Sequence, residues 1–376
     1  MIDIKNVIMK QACRNTNWVN AIYEIYRQDV EKQVELLANE MSQYDTICDT
    51  ASLLELKKRI IRDGKKYSSY NGNKTNFRLY GIGRALFGNQ INNVKFLPSV
   101  EHGLIFHDCN WSDTSLTARA SCITFGKFRK DILRRYYKTP IFEVGPYIQY
   151  ADSYYLDEEM NNWKKKMGKT LVVFPMHSTD DSELFYSQNN YISEIKRLAV
   201  GFDSVFVCMF WWNLDTPIVK AFKAEGFNVG SAGYREDPMF LSRQKAIIEV
   251  ADSVVTDAVG THVGYCYNLG KTIKIINAGT RTQIYDDFFM RNQIETIKEA
   301  LLSSDYERID KIMQFYWGSD ISYTREELNK IAEINEELTV NGRFWTKNYV
   351  KEAWNLLMKY QETDEIKYKL LERALR

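Results

Sequence analysis

The chain has 376 residues and a formal net charge of +1, from 50 Lys and Arg against 49 Asp and Glu. That balance produces no global field of the kind that draws nucleic acid, so no nucleic-acid partner is expected. At roughly 100–200 residues per domain the length calls for about two domains, and 45% hydrophobic with 26% charged residues is ordinary for a globular protein.

Six cysteines (Cys13, Cys48, Cys109, Cys122, Cys208, Cys266) form no C-x-x-C pair, which argues against a zinc site or a secreted disulfide framework. The opening MIDIKNVIMK breaks its apolar positions with charge and does not read as a signal peptide. The longest apolar run, Val205 to Trp212, falls far short of the roughly 20 residues a spanning helix needs. The expected location is the cytoplasm.

Residues 17–42 place Val19, Ile22, Ile25, Val30, Val34 and Leu37 at three- and four-residue spacing and predict an amphipathic helix, with a second over 51–63. From 77 onward FRLYGIG, GLIFHD, SCITFG and PIFEVGPYI read as short β-rich runs closed by Gly or Asp. Residues 156–169 form a charged helical connector, after which the rhythm restarts. TLVVFPMHS, SVFVCMFWW, FNVGSAG, DSVVTDAVGTH and TIKIIN are five β-runs. Helices are expected between and after them near 189–200, 216–225, 238–250 and 289–302. Such alternation predicts a parallel, doubly wound sheet with both faces buried. The tail from 325 is helical. The fold class is therefore α/β, two Rossmann-like domains facing a cleft with extra N- and C-terminal helices. Expected boundaries are 1–167, 168–320 and 321–376, the last helices free to pack back on the first domain.

Ligands of open parallel sheets sit beyond the carboxyl ends of the strands, and the chain's four histidines (His102, His107, His177, His262) fall at or near such loops. Gly260, Thr261 and His262 open a predicted helix. Free backbone N–H groups, a hydroxyl and an imidazole there would suit an anion; a Thr N-cap preceded by a flexible Gly is the purely structural reading. Ser178 and Thr179 at the end of the first strand of the second half, and Ser231 and Arg235 at a third strand end, could add hydroxyls and a cation for a diphosphate. They suit a plain polar loop and a surface ion pair equally. Tyr265 follows on the same predicted helix. In the first half His102 stands beside Glu101, an imidazole with a carboxylate to orient it as a general base. Asp108 or Asp113 could serve as that orienter instead, and His102 could simply form a turn before Gly103. No G-x-G-x-x-G follows the first strand of either half, and no P-loop, D-x-D or G-x-S-x-G occurs. No metal and no dinucleotide cofactor are expected.

PSVEHG, CITFG, EVGPYIQYA and GTHVGYCYNLGK resemble strand-end segments of GT-B glycosyltransferases, in particular bacterial enzymes that assemble capsule, O-antigen and lipopolysaccharide outer chains. The resemblance spans about 77–300. It implies a nucleotide-sugar donor bound by the second half through His177, Ser178, Thr179, Ser231, Arg235, Gly260, Thr261, His262 and Tyr265. It also implies a saccharide or lipid-linked saccharide acceptor on the first half, with His102 and Asp108 as the catalytic pair and no metal. A lipid-linked acceptor would call for a surface touching the membrane's inner face, for which KFRKDILRRYYK (127–138) and the amphipathic NYVKEAWNLLMKYQ are candidates. A sugar-nucleotide epimerase, a pyruvyl transferase or a non-catalytic nucleotide-sugar-binding protein would fit the same frame.

Overall fold

The structure, a computed structural model, describes residues 28–63, 77–88, 96–108, 120–177, 184–278, 281–282, 287–303, 305–341 and 349–376. The second half is built on a five-stranded parallel sheet: β4 (Thr170–Phe174), β6 (Ser204–Cys208), β7 (Asn228–Gly230), β8 (Ser253–Thr256) and β9 (Thr272–Ile275), in the spatial order β7-β6-β4-β8-β9. Relabelled by position in this half the order is 3-2-1-4-5, the doubly wound arrangement with its reversal between the first and fourth strands. All five residues of β4 are buried. Leu171 and Val173 enter one core while Val172 and Phe174 enter the other, the period-two alternation that covers a central strand on both faces.

The first half carries a smaller parallel sheet in the order β1-β2-β3, from β1 (Ser99–Val100), β2 (Cys122–Thr124) and β3 (Ile141–Glu143). Two expected strands are not strands. Residues 77–83 turn through a 3-10 segment, Leu79–Gly81, into helix α3 (Ile82–Phe87). Tyr80 there takes a left-handed backbone, φ 58°, which no strand tolerates. Residues 103–108 run as an irregular loop, the sheet having ended one residue before Glu101. His102 therefore follows a strand rather than preceding one. A two-stranded antiparallel ribbon joins β5 (Leu184–Phe185) to β10 (Arg281–Thr282).

Helices α1 (Gln28–Met41) and α2 (Ala51–Asp63), grouped with the first half by sequence, pack on the second: Leu37, Met41, Leu53 and Leu56 share a core with Val205, Val207 and Val255. Thr46 exchanges hydrogen bonds with Ser231 beyond the end of β7. The connector is α5 (Asp157–Met167), and the second sheet is dressed by α6 (Gln188–Leu198), α7 (Pro217–Ala224), α8 (Phe240–Val250) and α9 (Thr261–Asn268). After α10 (Phe288–Ser303) the chain turns back through α11 (Tyr306–Trp317), which packs on α4 (Lys127–Tyr136) of the first half. Helices α12 (Arg325–Asn341), α13 (Tyr349–Thr363) and α14 (Glu365–Leu375) follow, α14 lying against β3.

The return fixes the basic stretch 127–138. Lys130 Nζ bonds Glu143 Oε2 and the Arg373 carbonyl, both at 2.8 Å, and Arg134 bonds the Thr139 and Ala374 carbonyls. Arg129 is fully buried and Lys127 pairs with Asp131. Arg129, Lys130 and Arg134 are thus committed to partners within the protein, while Lys127, Arg135 and Lys138 stay exposed.

Trp317 ends α11 fully buried between the halves, its Nε1 donating to the Thr261 carbonyl at 3.2 Å. Gly264 leaves room for the indole, since a methyl group there would overlap the Trp317 ring. Trp317→Ala should cost about 3–5 kcal/mol as a large-to-small core change, and Gly264→Ala about 1–3 kcal/mol or more through overpacking. In the double variant the two losses should fall well short of additive, because the indole is what the new methyl strikes; denaturant midpoints of the four proteins measure this.

Candidate functional site

The reversal point of the second sheet lies between β4 and β8, where adjacent connections leave in opposite directions and open a crevice. Asp257 ties the two strand ends together, its Oδ1 accepting from Met176 N at 2.7 Å and from the Tyr191 hydroxyl at 3.0 Å. His177 follows Met176, exposed, its ring stacked on Phe210 at 4.4 Å between centroids. On the β8 side Gly260, not Thr261, occupies the N-cap of α9. Its φ of −150° is open to any residue. What keeps the position small is the His262 imidazole, whose Nδ1 would lie 3.1 Å from a methyl group there.

His262 Nε2 lies 2.9 Å from Thr256 Oγ1, and that hydroxyl donates to the Ala258 carbonyl at 3.0 Å. With its proton spent on Ala258, Thr256 accepts from Nε2–H, and Nδ1 carries the lone pair. Burial in the cleft, with a smaller contribution from His177, pushes the His262 pKa down to about 3. The imidazole is neutral, so the α9 N-terminus offers an anion its backbone N–H groups and the Thr261 hydroxyl, but no cation from His262. Thr261 Oγ1 accepts from Leu104 N of the first half at 2.9 Å. A hydroxyl that accepts on one side keeps its own proton to donate on the other.

The facing wall is the loop Glu101–Asp108. His102 sits 5.9 Å from the Tyr80 ring, but its sequence neighbour does not orient it. The Glu101 carboxylate is buried on Arg129, at 2.5 Å from Nη2 and 3.1 Å from Nε, and accepts from Thr124 Oγ1 at 2.5 Å. Asp108 is exposed, and its carbonyl accepts from the Tyr136 hydroxyl at 3.2 Å. His107 meets a carboxylate, its Nδ1 lying 2.5 Å from Asp287 Oδ2. Asp287 also caps α10, its Oδ1 accepting from Phe289 N at 2.8 Å and Met290 N at 3.2 Å. The Met290 N–H, followed by His107 and the Phe289 N–H, holds its carboxyl below the ordinary range.

The structure thus brings His177, Gly260, Thr261 and His262 to one crevice, with the loop bearing His102 opposite. Other expected site residues are elsewhere engaged. Ser231 is buried, its hydroxyl accepting from Gly233 N at 3.2 Å. Arg235 Nε pairs with Glu236 at 3.1 Å. Tyr265 is packed in the core between the halves, 6.5 Å from the Phe125 ring, and burial drives its hydroxyl pKa well up. Ser178 and Thr179 lie outside the described residues, as does Asp113. The His107–Asp287 pair is the feature sequence reasoning missed. Asp before a predicted helix is a legible N-cap, but its second partner stands 180 residues away. Among the described residues no three His, Cys, Asp or Glu side chains gather as a metal-binding group, and no helix is long and apolar enough to cross a membrane.

No protein-family description and no curated protein matches the sequence. Among solved structures, similarity extends to a protein from Listeria monocytogenes described as a UDP-N-acetylglucosamine 2-epimerase. The two are 13% identical over 85% of this chain and 81% of that one, with a TM-score of 0.37. It extends also to Medicago truncatula UGT71G1 complexed with UDP-glucose, 15% identical over 79% and 72%, with a TM-score of 0.28. These are loose superpositions.

The neutral His262 gives a pH signature. The unfolded imidazole binds its proton near its ordinary pKa of about 6.5, while the folded one resists until about 3. Stability present above the first value is therefore lost as pH falls through that window. His262→Gln should lose less stability than the parent when urea midpoints near pH 7 and near pH 4 are compared; equal losses would remove His262 from the account.

Proposed function

We propose that the chain is a glycosyltransferase that takes a sugar from a nucleotide-activated donor and places it on a hydroxyl of a saccharide or lipid-linked saccharide. One observation carries the reading: at the reversal point of a 3-2-1-4-5 sheet, the N-terminus of α9 and the Thr261 hydroxyl face a histidine-bearing loop of the other half. The second half would hold the donor. Its phosphate would meet the α9 N–H groups and Thr261, where fixed dipoles offset the charge that grows as the nucleotide leaves. His177, stacked on Phe210 at the mouth of the crevice, would flank the nucleoside.

The first half would present the acceptor. An imidazole of the 101–107 loop accepts the hydroxyl proton as that oxygen bonds to the anomeric carbon. The bond from that carbon to the phosphate oxygen breaks, and its electron pair leaves with the nucleotide. Backbone N–H groups supply the electrostatic stabilisation, and the reaction as proposed uses no metal. The return of α11–α14 onto the first half supports a two-body division with the cleft between. Surface-polysaccharide assembly is the setting the sequence resemblance suggests.

Thermal stabilisation by CMP, CDP, UDP, GDP and ADP tests the donor site. One nucleotide at about a hundred times its Kd should add about 2.7 kcal/mol, the gain being lost in Thr261→Val and kept in Thr261→Ser. No stabilisation by any of them, from folded protein, would sink the reading. Stabilisation by a nucleotide whose sugar is then altered without an acceptor would point to an epimerase instead.

A further inference from the structure

We propose that the groove between α5 and α8 is a second ligand site, outside the crevice, and that its ligand is a short uncharged saccharide. The groove has a volume of about 350 Å³, at the small end of the range for small-molecule sites. Its apolar lining is Met160, Ala246 and the Tyr155 ring. Asp157, Asn161 and Lys164 follow one another along one face of α5 at four- and three-residue spacing, and Glu249 comes from α8. Ser153 lies just ahead of α5.

The frame of the groove is tied at three points. The Tyr155 hydroxyl donates to Asp45 Oδ2 at 2.7 Å. Lys245 Nζ donates to the Ala151 carbonyl at 2.7 Å, joining α8 to the segment ahead of α5. Lys271 Nζ donates to the Glu249 and Ala251 carbonyls at 3.2 and 2.7 Å, which fixes the end of α8. The polar side chains that line this frame are not tied. Among the described residues, Ser153, Asp157, Asn161, Lys164 and Glu249 make no side-chain hydrogen bond or ion pair within the protein. A fixed frame carrying uncommitted donors and acceptors costs little to order around a ligand.

The lining selects the ligand. Ionised Asp157 and Glu249 only accept, Lys164 only donates, and Asn161 and Ser153 do both. A phosphate would meet two carboxylates, and a cation would meet the Lys164 ammonium. A sugar hydroxyl both donates and accepts, so every one of these groups can serve a polyol without opposing its charge. The apolar faces of a sugar ring suit Met160, Ala246 and the Tyr155 ring. Position makes the site a separate one. Helices α5 and α8 lead into β4 and β8, which places Lys164 and Glu249, in their last turns, toward the amino ends of those strands. The crevice lies beyond the carboxyl ends. The groove therefore goes beyond the transferase reading and does not rest on it; under that reading it would hold a glycan away from its reacting end.

Calorimetric titration of the full chain with maltotriose, cellobiose, mannobiose and N,N′-diacetylchitobiose tests the site. At least one should bind with a Kd below about 10 mM. Glu249→Ala and Lys164→Met should each weaken that binding about tenfold or more, the scale of losing a hydrogen bond to a charged group. Glu158→Gln, exposed on the same helix but outside the groove, should bind as the parent does. Inorganic phosphate and glycine are titrated alongside. Binding of either one instead of the sugars, lost in the same two variants, overturns the saccharide assignment. Sugar binding that neither variant weakens, or no binding of any sugar to folded protein, overturns the site. Stabilisation by nucleotide, measured on the same variants, should match the parent's, so failure of the groove leaves the donor site standing and failure of the donor site leaves the groove.

Discussion

Everything that faces the cleft from the first half depends on one buried ion pair. Arg129 and Glu101 are both fully shielded, and Glu101 opens the very loop that crosses to the other half. Arg129 grips the Glu101 carboxylate from Nε and Nη2 while its Nη1 holds the His107 carbonyl, six residues on. Thr124 donates to the same carboxylate and the Tyr147 hydroxyl donates to the Glu101 carbonyl. A rigid guanidinium fork therefore sets the chord between the two ends of an irregular loop that has no sheet pairing to shape it.

Such a pair is a poor source of stability, since taking two charges out of water costs about as much as their attraction returns. Its use here is geometric. Each oxygen and nitrogen of the pair is engaged, and a buried polar network satisfied in this way specifies position more than it adds free energy. From that fixed loop, Leu104, Phe106 and His107 reach three different elements of the second half, α9, α11 and α10. Trp317, wedged against Gly264 and bonded to Thr261, keeps α9 in register with them.

The legibility of the sequence follows the range of the forces involved. The second half was readable because its signals are local: β4 is a continuous apolar run, and turn glycines such as Gly270 mark where elements stop. The segment 77–83 misleads because a short apolar run with glycines fits strand and helix alike, and only the packing of Leu79–Gly81 on α8 and of α3 on α12 decides it. Glu101 and His102 misled for another reason. Adjacent residues leave a bend in different directions, so Glu101 turned inward to Arg129 and His102 toward Tyr80. The sequence places Thr261 and His262 at a helix start, but the neutrality of His262 comes from burial and from His177, which no spacing encodes.

The imidazoles of His262 and His107 differ in the partner each ring is given. His262 gives its Nε2 to a neutral hydroxyl and sits against Phe174 at 5.4 Å, an environment that disfavours the charged form. His107 places its Nδ1 against the Asp287 carboxylate, whose own pKa is held below the ordinary range. His262 belongs to the start of α9 and His107 to the irregular loop of the first half. A neutral ring beside the first adds no charge to a site already served by N–H dipoles. The contrast lies in hydroxyl against carboxylate as the ring's partner.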